Sequence, residues 1–343
     1  MEAIGAVQAQ YRPAMPVALW TRLRSFDTAD LHTALDRREL VLGTLLRATL
    51  HLVSAREHRY YSAVAEESGA TGWRRVGKDP VPDMERLRAD MFEFAVEPRS
   101  AADLTGFVED WISRHGLRMD KAELEHQRKY GWRALLRSSR FVRVATDGAW
   151  SGARPVEAYV AAPGDQVTPE AALDEIVRCH LRAFGPASAP DIAAWTGFRV
   201  APVRAAVARL ETDLVQVLDE AGRSLHDLQA APRPGADLDA PVRFLPWFDS
   251  VLLAYEPAHR SRILPSQHRD RVYLAKNLQW LPTVLVDGLV AGTWSVQSTK
   301  RLATLKVEMF GRLGRERAEL LEEAERLVRF LRPQASTHEV KLA

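Results

Sequence analysis

Near the start of this 343-residue chain, Gln8 and Gln10 stand one residue apart in VQAQYRPAMPVALWTRL. A carboxamide accepts and donates hydrogen bonds without carrying charge, so two of them close together can orient a water molecule. The spacing alone is weak support: with ten glutamines in 343 residues, roughly 0.3 such pairs arise by chance. Asp249 and Glu256 in FLPWFDSVLLAYEP offer carboxylates, but isolated acids near a strand end more often have structural roles. Cys179-His180 reads as part of a helix core rather than as a ligand pair, and the histidines show no metal spacing. The chain carries no Gly-x-x-x-x-Gly-Lys, Gly-x-Gly-x-x-Gly, His-Glu-x-x-His or Gly-x-Ser-x-Gly motif, which argues against nucleotide hydrolysis and zinc chemistry.

The elements that must hold these residues point to an α+β chain of several units. Between Ala171 and Leu228, Leu173, Ile176, Val177, His180, Leu181 and Phe184 recur at helical spacing up to Gly185-Pro186. Ser188 with Asp191 three residues on reads as a capping box, and Ile192 and Trp195 give that short helix its apolar face. A third helix turns Val203, Val207 and Leu210 inward, and DLVQVLD and SLHDL follow as short strands. Three helices and a hairpin make a winged helix-turn-helix. A middle copy of this order runs from Leu104, Phe107, Val108, Trp111 and Ile112 through a helix capped by Asp120 and Glu123. Strands near Phe141 and Val156 then flank Asp147-Gly148, a hairpin signal. A front copy, short of its first helix, has a helix capped by Thr28 and the segment VLGTLLRATLHLVS. The expected organisation is therefore three tandem winged helices over 1–98, 99–163 and 164–230. A linker follows, then a β-rich segment with a closing amphipathic helix over 241–332.

On a strand, VLGTLLRATLHLVS would place Arg47, Thr49 and His51 on one face. That strip could meet a phosphate, or it could tie the front unit together with His51 hydrogen-bonded inside. Net charge is only +2, but it is unevenly spread. From Lys121 to Arg143 there are seven basic and two acidic residues, and from Ala161 to Pro241 seven basic and twelve acidic. The middle unit is thus the better phosphate-facing candidate, through Arg128, Lys129, Arg133, Arg137 and Arg140; charge alone does not separate that role from a solvated helix face. One cysteine excludes an internal disulfide, no apolar run reaches membrane-spanning length, and the N-terminus lacks the pattern of a signal peptide. The expectation is a cytoplasmic protein without metal or other cofactor.

The segment from Gln8 to Leu23 resembles the signature of the AlkZ-like winged-helix DNA glycosylases: Gln-x-Gln, a Pro-containing stretch with Pro13 and Pro16, then Leu19-Trp20-Thr21-Arg22-Leu23. LLRATLHLVSARE is similar to the family's Arg-x-Thr-x-His-Leu-Val strand, LRAFGPASAPDIAAWTG to its third winged helix, and VRFLPWFDSVLLAY, RSRIL and VDGLVAGTW to its C-terminal part. The resemblance implies tandem winged helices forming a DNA channel and monofunctional excision of N-alkylated purines from double-stranded DNA. Interstrand crosslinks made by alkylating natural products would be among its substrates. It assigns catalysis to Gln8 and Gln10. It also implies a helix of about 25 to 30 residues before the motif, so this chain is expected to begin inside the first unit.

That chemistry is physically coherent. Alkylation at N7 makes guanine a cationic leaving group, and two glutamines could place the attacking water as oxocarbenium character develops. A neutral glutamine offers no full charge to that cation, which predicts restriction to labile lesions of the self-resistance type; relatives with Gln-x-Asp would have the charge. A bulky or crosslinked base cannot flip freely into a tight pocket, so an open channel is expected. The competing readings are a winged-helix regulator, which would bind as a dimer where a glycosylase works as a monomer, and a protein that sequesters the alkylating metabolite.

Overall fold

The structure, a computed structural model, describes residues 1–69, 82–116, 119–146, 150, 157–162, 167–235 and 237–343. Asp147-Gly148, read as a hairpin turn, lies outside the described residues. Contacts divide the chain into two units: Met1–Arg12 with Asp27–Gln229, and Pro13–Phe26 with Ala230–Ala343. Each is a mixture of helix and sheet, as the α+β expectation has it.

The first unit is built on a five-stranded antiparallel sheet in the order Val7–Gln8, Leu50–Ser54, Leu40–Thr44, Phe141–Ala145 and Glu157–Ala161. Strands from the front and middle segments therefore share one sheet. Gln8 lies opposite His51, which lies opposite Gly43. Leu42 lies opposite Arg143, which lies opposite Tyr159. Because residues across a register row share a face and alternate residues along a strand do too, Leu50, Thr44, Arg143 and Tyr159 come to the same face.

The helices over this sheet follow their apolar spacing. Ala101–His115 starts with a capping box between Ser100 and Asp103 and buries Leu104, Val108 and Trp111. These pack with Leu87, Met91, Trp132, Leu135 and Phe141. Lys121–Lys129 follows with Asp120 at its N-cap position, although the expected side-chain cap bond is not made. Pro169–Phe184, Ala189–Thr196 and Val200–Arg209 precede the antiparallel pair Leu214–Leu218 and Ser224–Leu228, the order expected for this segment. The Ser188–Asp191 capping box is formed in both directions. Cys179 and His180 are fully buried in the first of these helices.

The segment VLGTLLRATLHLVS is not continuous strand. Leu40–Thr44 and Leu50–Ser54 are antiparallel strands joined by a tight turn at Leu46–Ala48, where Arg47 and Ala48 take left-handed backbone angles of 54° and 55°. Arg47 and Thr49 accordingly do not line a strand face with His51. The seven alternating residues Leu46 to Leu52, without glycine or proline, read as strand, while the turn spends two positive φ values on ordinary residues, a choice that leaves no compositional mark.

In the second unit, Thr337–Leu342, Leu302–Met309, Leu289–Ser298, Thr283–Val286 and Arg243–Leu245 form a sheet whose first pair is parallel and the rest antiparallel. The helix Arg317–Leu331 lays Leu320, Ala324, Leu327 and Val328 against Phe244, Leu305 and Val307. Each buried leucine there contributes about 1.5–3 kcal/mol. The helix Ala14–Trp20, from the LWTRL segment, adds Val17 to this core, and Trp20 stacks on Phe330 with ring centroids 5.7 Å apart. Arg22 grips Asp249 through two bonds of 2.7 and 2.9 Å, and Asp249 also caps the helix Ser250–Leu253. Among the described residues no helix is long and apolar enough to cross a membrane.

Candidate active site

Gln8 is buried at the end of its short strand, and its carboxamide Oε1 accepts a hydrogen bond from Arg47 Nη2 at 3.1 Å. The Arg47 guanidinium also donates to the Trp195 carbonyl, so one side chain ties the motif strand to the helix Ala189–Thr196. Gly197 makes this approach possible. Its φ of +77° suits a residue without a side chain, and a Cβ there would stand 3.1 Å from Arg47 Cγ. Gln10 is exposed, and its Oε1 accepts from the Leu50 backbone N–H at 3.4 Å. Both carboxamides are thus oriented by a donor, and each oxygen keeps a second lone pair for another hydrogen.

Gln10 lies on the wall of a cavity of about 670 Å3, with Tyr11, Arg12, Thr44, Leu50, Tyr130, Arg133, Arg137, Arg143 and Tyr159 among its other lining residues. The sheet supplies its floor through Thr44, Leu50, Arg143 and Tyr159. The Arg143 guanidinium carbon sits 3.7 Å from the Tyr159 ring centroid, a cation–π stack across the strand pair. The helix Arg133–Leu136 supplies another wall. It is fixed by Trp132, which is fully buried, has a left-handed φ of 52° and donates its indole N–H to Glu109 at 2.7 Å. That anchor leaves Arg133 and Arg137 at the cavity. Burial pushes the Arg137 pKa down, and the neighbouring Arg133 and Arg143 push it the same way. Among the described residues the lining contains four arginines and no carboxylate.

Gln8 and Arg47 are not among the lining residues, Gln8 standing on the sheet face of His51 and Gly43, and the remaining sequence candidates are placed elsewhere too. Arg128 is committed to Glu109 at 2.7 and 2.9 Å, and that guanidinium holds the Glu109 carboxyl below its usual range. Lys129 lies 5.5 Å from the Tyr130 ring centroid, outside the cavity lining. Arg140 stacks on Phe92 at 4.1 Å and borders a different hollow. Thr49 bonds its own turn through the Leu46 carbonyl. His51 is 1 % exposed, and its Nδ1 lies 2.9 Å from the Thr49 carbonyl. Burial, reinforced by Arg47, pushes its pKa down to about 3. A neutral ring beside a carbonyl must carry its proton on Nδ1, so His51 is an internal donor and not a phosphate contact. Its structural reading is the one the geometry favours.

Arg12, Arg143, Tyr130 and Tyr159 join the cavity although sequence reasoning did not single them out. Arg143 left one readable trace, a lone basic residue inside the apolar strand Phe141–Ala145. A separate buried cluster lies away from the cavity lining: Glu57 accepts from Arg182 at 3.1 Å and from the Cys179 thiol at 3.3 Å. Burial raises the pKa of Glu57 and of Cys179 alike.

The comparisons with known proteins agree with this architecture. A curated relative from Streptomyces sahachiroi, an interstrand DNA cross-link repair glycosylase, is 22% identical over 317 residues, covering 87% of this chain and 81% of the relative. The solved structure of the S. sahachiroi DNA glycosylase AlkZ matches with a TM-score of 0.78 at 20% identity, over 98% of this chain and 91% of that one. The model of the family described as DNA glycosylase AlkZ-like matches residues 1–330, and the chain belongs to that family.

Proposed function

We propose that this protein is a monofunctional DNA glycosylase that excises N-alkylated purines, N7-alkylguanine above all, from double-stranded DNA, and that it unhooks interstrand crosslinks. The observation that carries this reading is Gln10 on the wall of an open, arginine-lined cavity, with Gln8 two residues away held by Arg47. The cavity suits a polyanion at its rim and a neutral water-orienting group at its wall, as hydrolysis of a labile cationic lesion needs. In this reading Gln8 and Gln10 position the water, and Arg133 and Arg137 contact the backbone. Three tandem winged helices over 1–98, 99–163 and 164–230 present these groups, and the protein acts as a monomer. Relatedness to a cross-link repair glycosylase supports the crosslink as substrate, and the neutral Gln-x-Gln pair, suited to labile cationic lesions, is the ground for reading the role as self-resistance to an alkylating natural product.

The test is release of 7-methylguanine from methylated duplex DNA, read as alkali-labile abasic sites, by the parent and by a Gln8→Ala/Gln10→Ala variant. Excision lost in the variant with duplex binding intact supports the reading. Duplex binding without excision by the parent, on both simple and bulky lesions, would return the protein to the class of non-catalytic regulators.

A further inference from the structure

Excision of an N7-alkylguanine moves a positive charge rather than creating one. The C1′–N9 bond breaks, its electron pair leaves with the purine, and the cationic base departs neutral. The sugar is left as an oxocarbenium ion; water then adds at C1′ and a proton is released to solvent. A charged group accelerates this only if it favours charge on the sugar over charge on the base. The cavity lining opposes that migration, because it carries four arginines and, among the described residues, no carboxylate. Gln8 and Gln10 are neutral and orient by hydrogen bonding alone. Arg133, Arg137 and Arg143 line one cavity, where burial first and then the neighbouring guanidiniums push the Arg137 pKa down. A concave site that gathers like charge in this way is complementary to an anion, and the anion next to a deoxyribose is its own phosphodiester.

We infer that Arg133, Arg137 and Arg143, with Arg12 at the edge, form a phosphodiester site that seats the backbone phosphate adjoining the lesion nucleotide beside Gln10, and that this phosphate, rather than a protein carboxylate, faces the sugar as its charge grows. The substrate thereby brings the negative charge that the glutamine pair lacks. The inference rests on the glycosylase reading of the same cavity. It accounts for arginines bordering a reaction whose transition state is a cation: with a phosphate seated among them, their charge is spent on holding the anion in place. Arg143 is the best fixed of the set, since its stack on Tyr159 and its place in the register hold the guanidinium over the floor.

The experiment uses duplexes with one 7-methylguanine in which the phosphate on the 5′ or the 3′ side is replaced by a neutral methylphosphonate. Single-turnover excision is measured at saturating protein, so that binding does not enter. A neutral linkage on one flank is expected to slow excision by about 10- to 100-fold, whereas the same replacement several nucleotides away leaves the rate unchanged. Arg143→Gln and Arg137→Gln slow excision on the native duplex and cause much smaller further losses on the neutral-flank duplex, the non-additivity expected of partners in one interaction. Rates within about twofold on all duplexes, with excision still lost in the Gln8→Ala/Gln10→Ala variant, would overturn the phosphate assignment and leave the glycosylase reading standing. Absence of excision from every duplex would overturn both.

Discussion

The middle and third helical segments of the first unit share an order of three helices and two strands, yet they use arginine in opposite ways. In the third segment Arg209 is paired with Asp174, and Arg178 with Asp213 at 2.7 Å. These guanidiniums fasten the helix Pro169–Phe184 to the elements that follow it. In the middle segment Arg128 is spent in that manner, while Arg133 and Arg137 border the cavity that Gln10 also borders. One arrangement therefore yields a scaffold and the other a surface able to receive an anion. The difference lies in where the carboxylates are placed: Asp174 and Asp213 meet arginines in the third segment, and among the described residues none lines the cavity.

The largest effect expected on this contrast is chemical. Gln8→Ala/Gln10→Ala lowers single-turnover excision of 7-methylguanine by about 100- to 1,000-fold, the range for removing oriented polar groups from a transition state. Acid gives the next. His51 and His58 are buried with their pKa values pushed down to about 3 and about 4 from 6.5. Between those values and 6.5 the unfolded chain binds more protons than the folded one, so stability is complete above about pH 6.5 and falls as pH drops toward 4. Urea melts across that window should show a loss of up to about 6 kcal/mol, about 3 from each imidazole, much reduced in a variant lacking both.

Replacing Arg133 and Arg137 by Gln should weaken duplex binding about tenfold and reduce the slope of log affinity against log salt by about 1–2 units. Arg178→Gln/Arg209→Gln in the third segment should leave that slope untouched and lower stability by no more than about 1 kcal/mol. If both pairs change the slope equally, the distinction between scaffold and binding surface is lost. A subtler probe is Gly197→Ala, which places a Cβ at a φ of +77° and against Arg47. It should lower stability by about 1–2 kcal/mol and slow excision through displacement of Gln8, measurable as a fall in single-turnover rate at unchanged DNA affinity.

Much of the third segment was legible in the sequence because each of its signals is local. Ser188 and Asp191 cap one helix, and Val203, Val207 and Leu210 repeat at helical spacing. The cavity was legible only in part. Gln10, Arg133 and Arg137 could be named from motif and charge, but Arg143 acquires its position from a register that pairs Phe141–Ala145 with Leu40–Thr44, about a hundred residues earlier. The removal of Arg47 and Thr49 from a strand face shared with His51 depended on the unmarked turn at Arg47 and Ala48, and His51 lies off the cavity face because Leu50, its neighbour along the strand, is on it. The strand Thr337–Leu342 was likewise unread, since THEVKL is a strand only through parallel pairing with Leu302–Met309.

The burial of Cys179 has a practical corollary. The chain's one thiol sits fully enclosed on the helix Pro169–Phe184, hydrogen-bonded to Glu57, with its ionisation suppressed. Only the thiolate attacks disulfide and maleimide reagents, so the native protein is protected by enclosure and by chemistry together. Any modification must pass through an opening of the helical core around that residue. A thiol-reactive dye added to the unaltered protein then acts as a clock, its rate of incorporation timing how often the scaffold behind the glutamine pair comes apart.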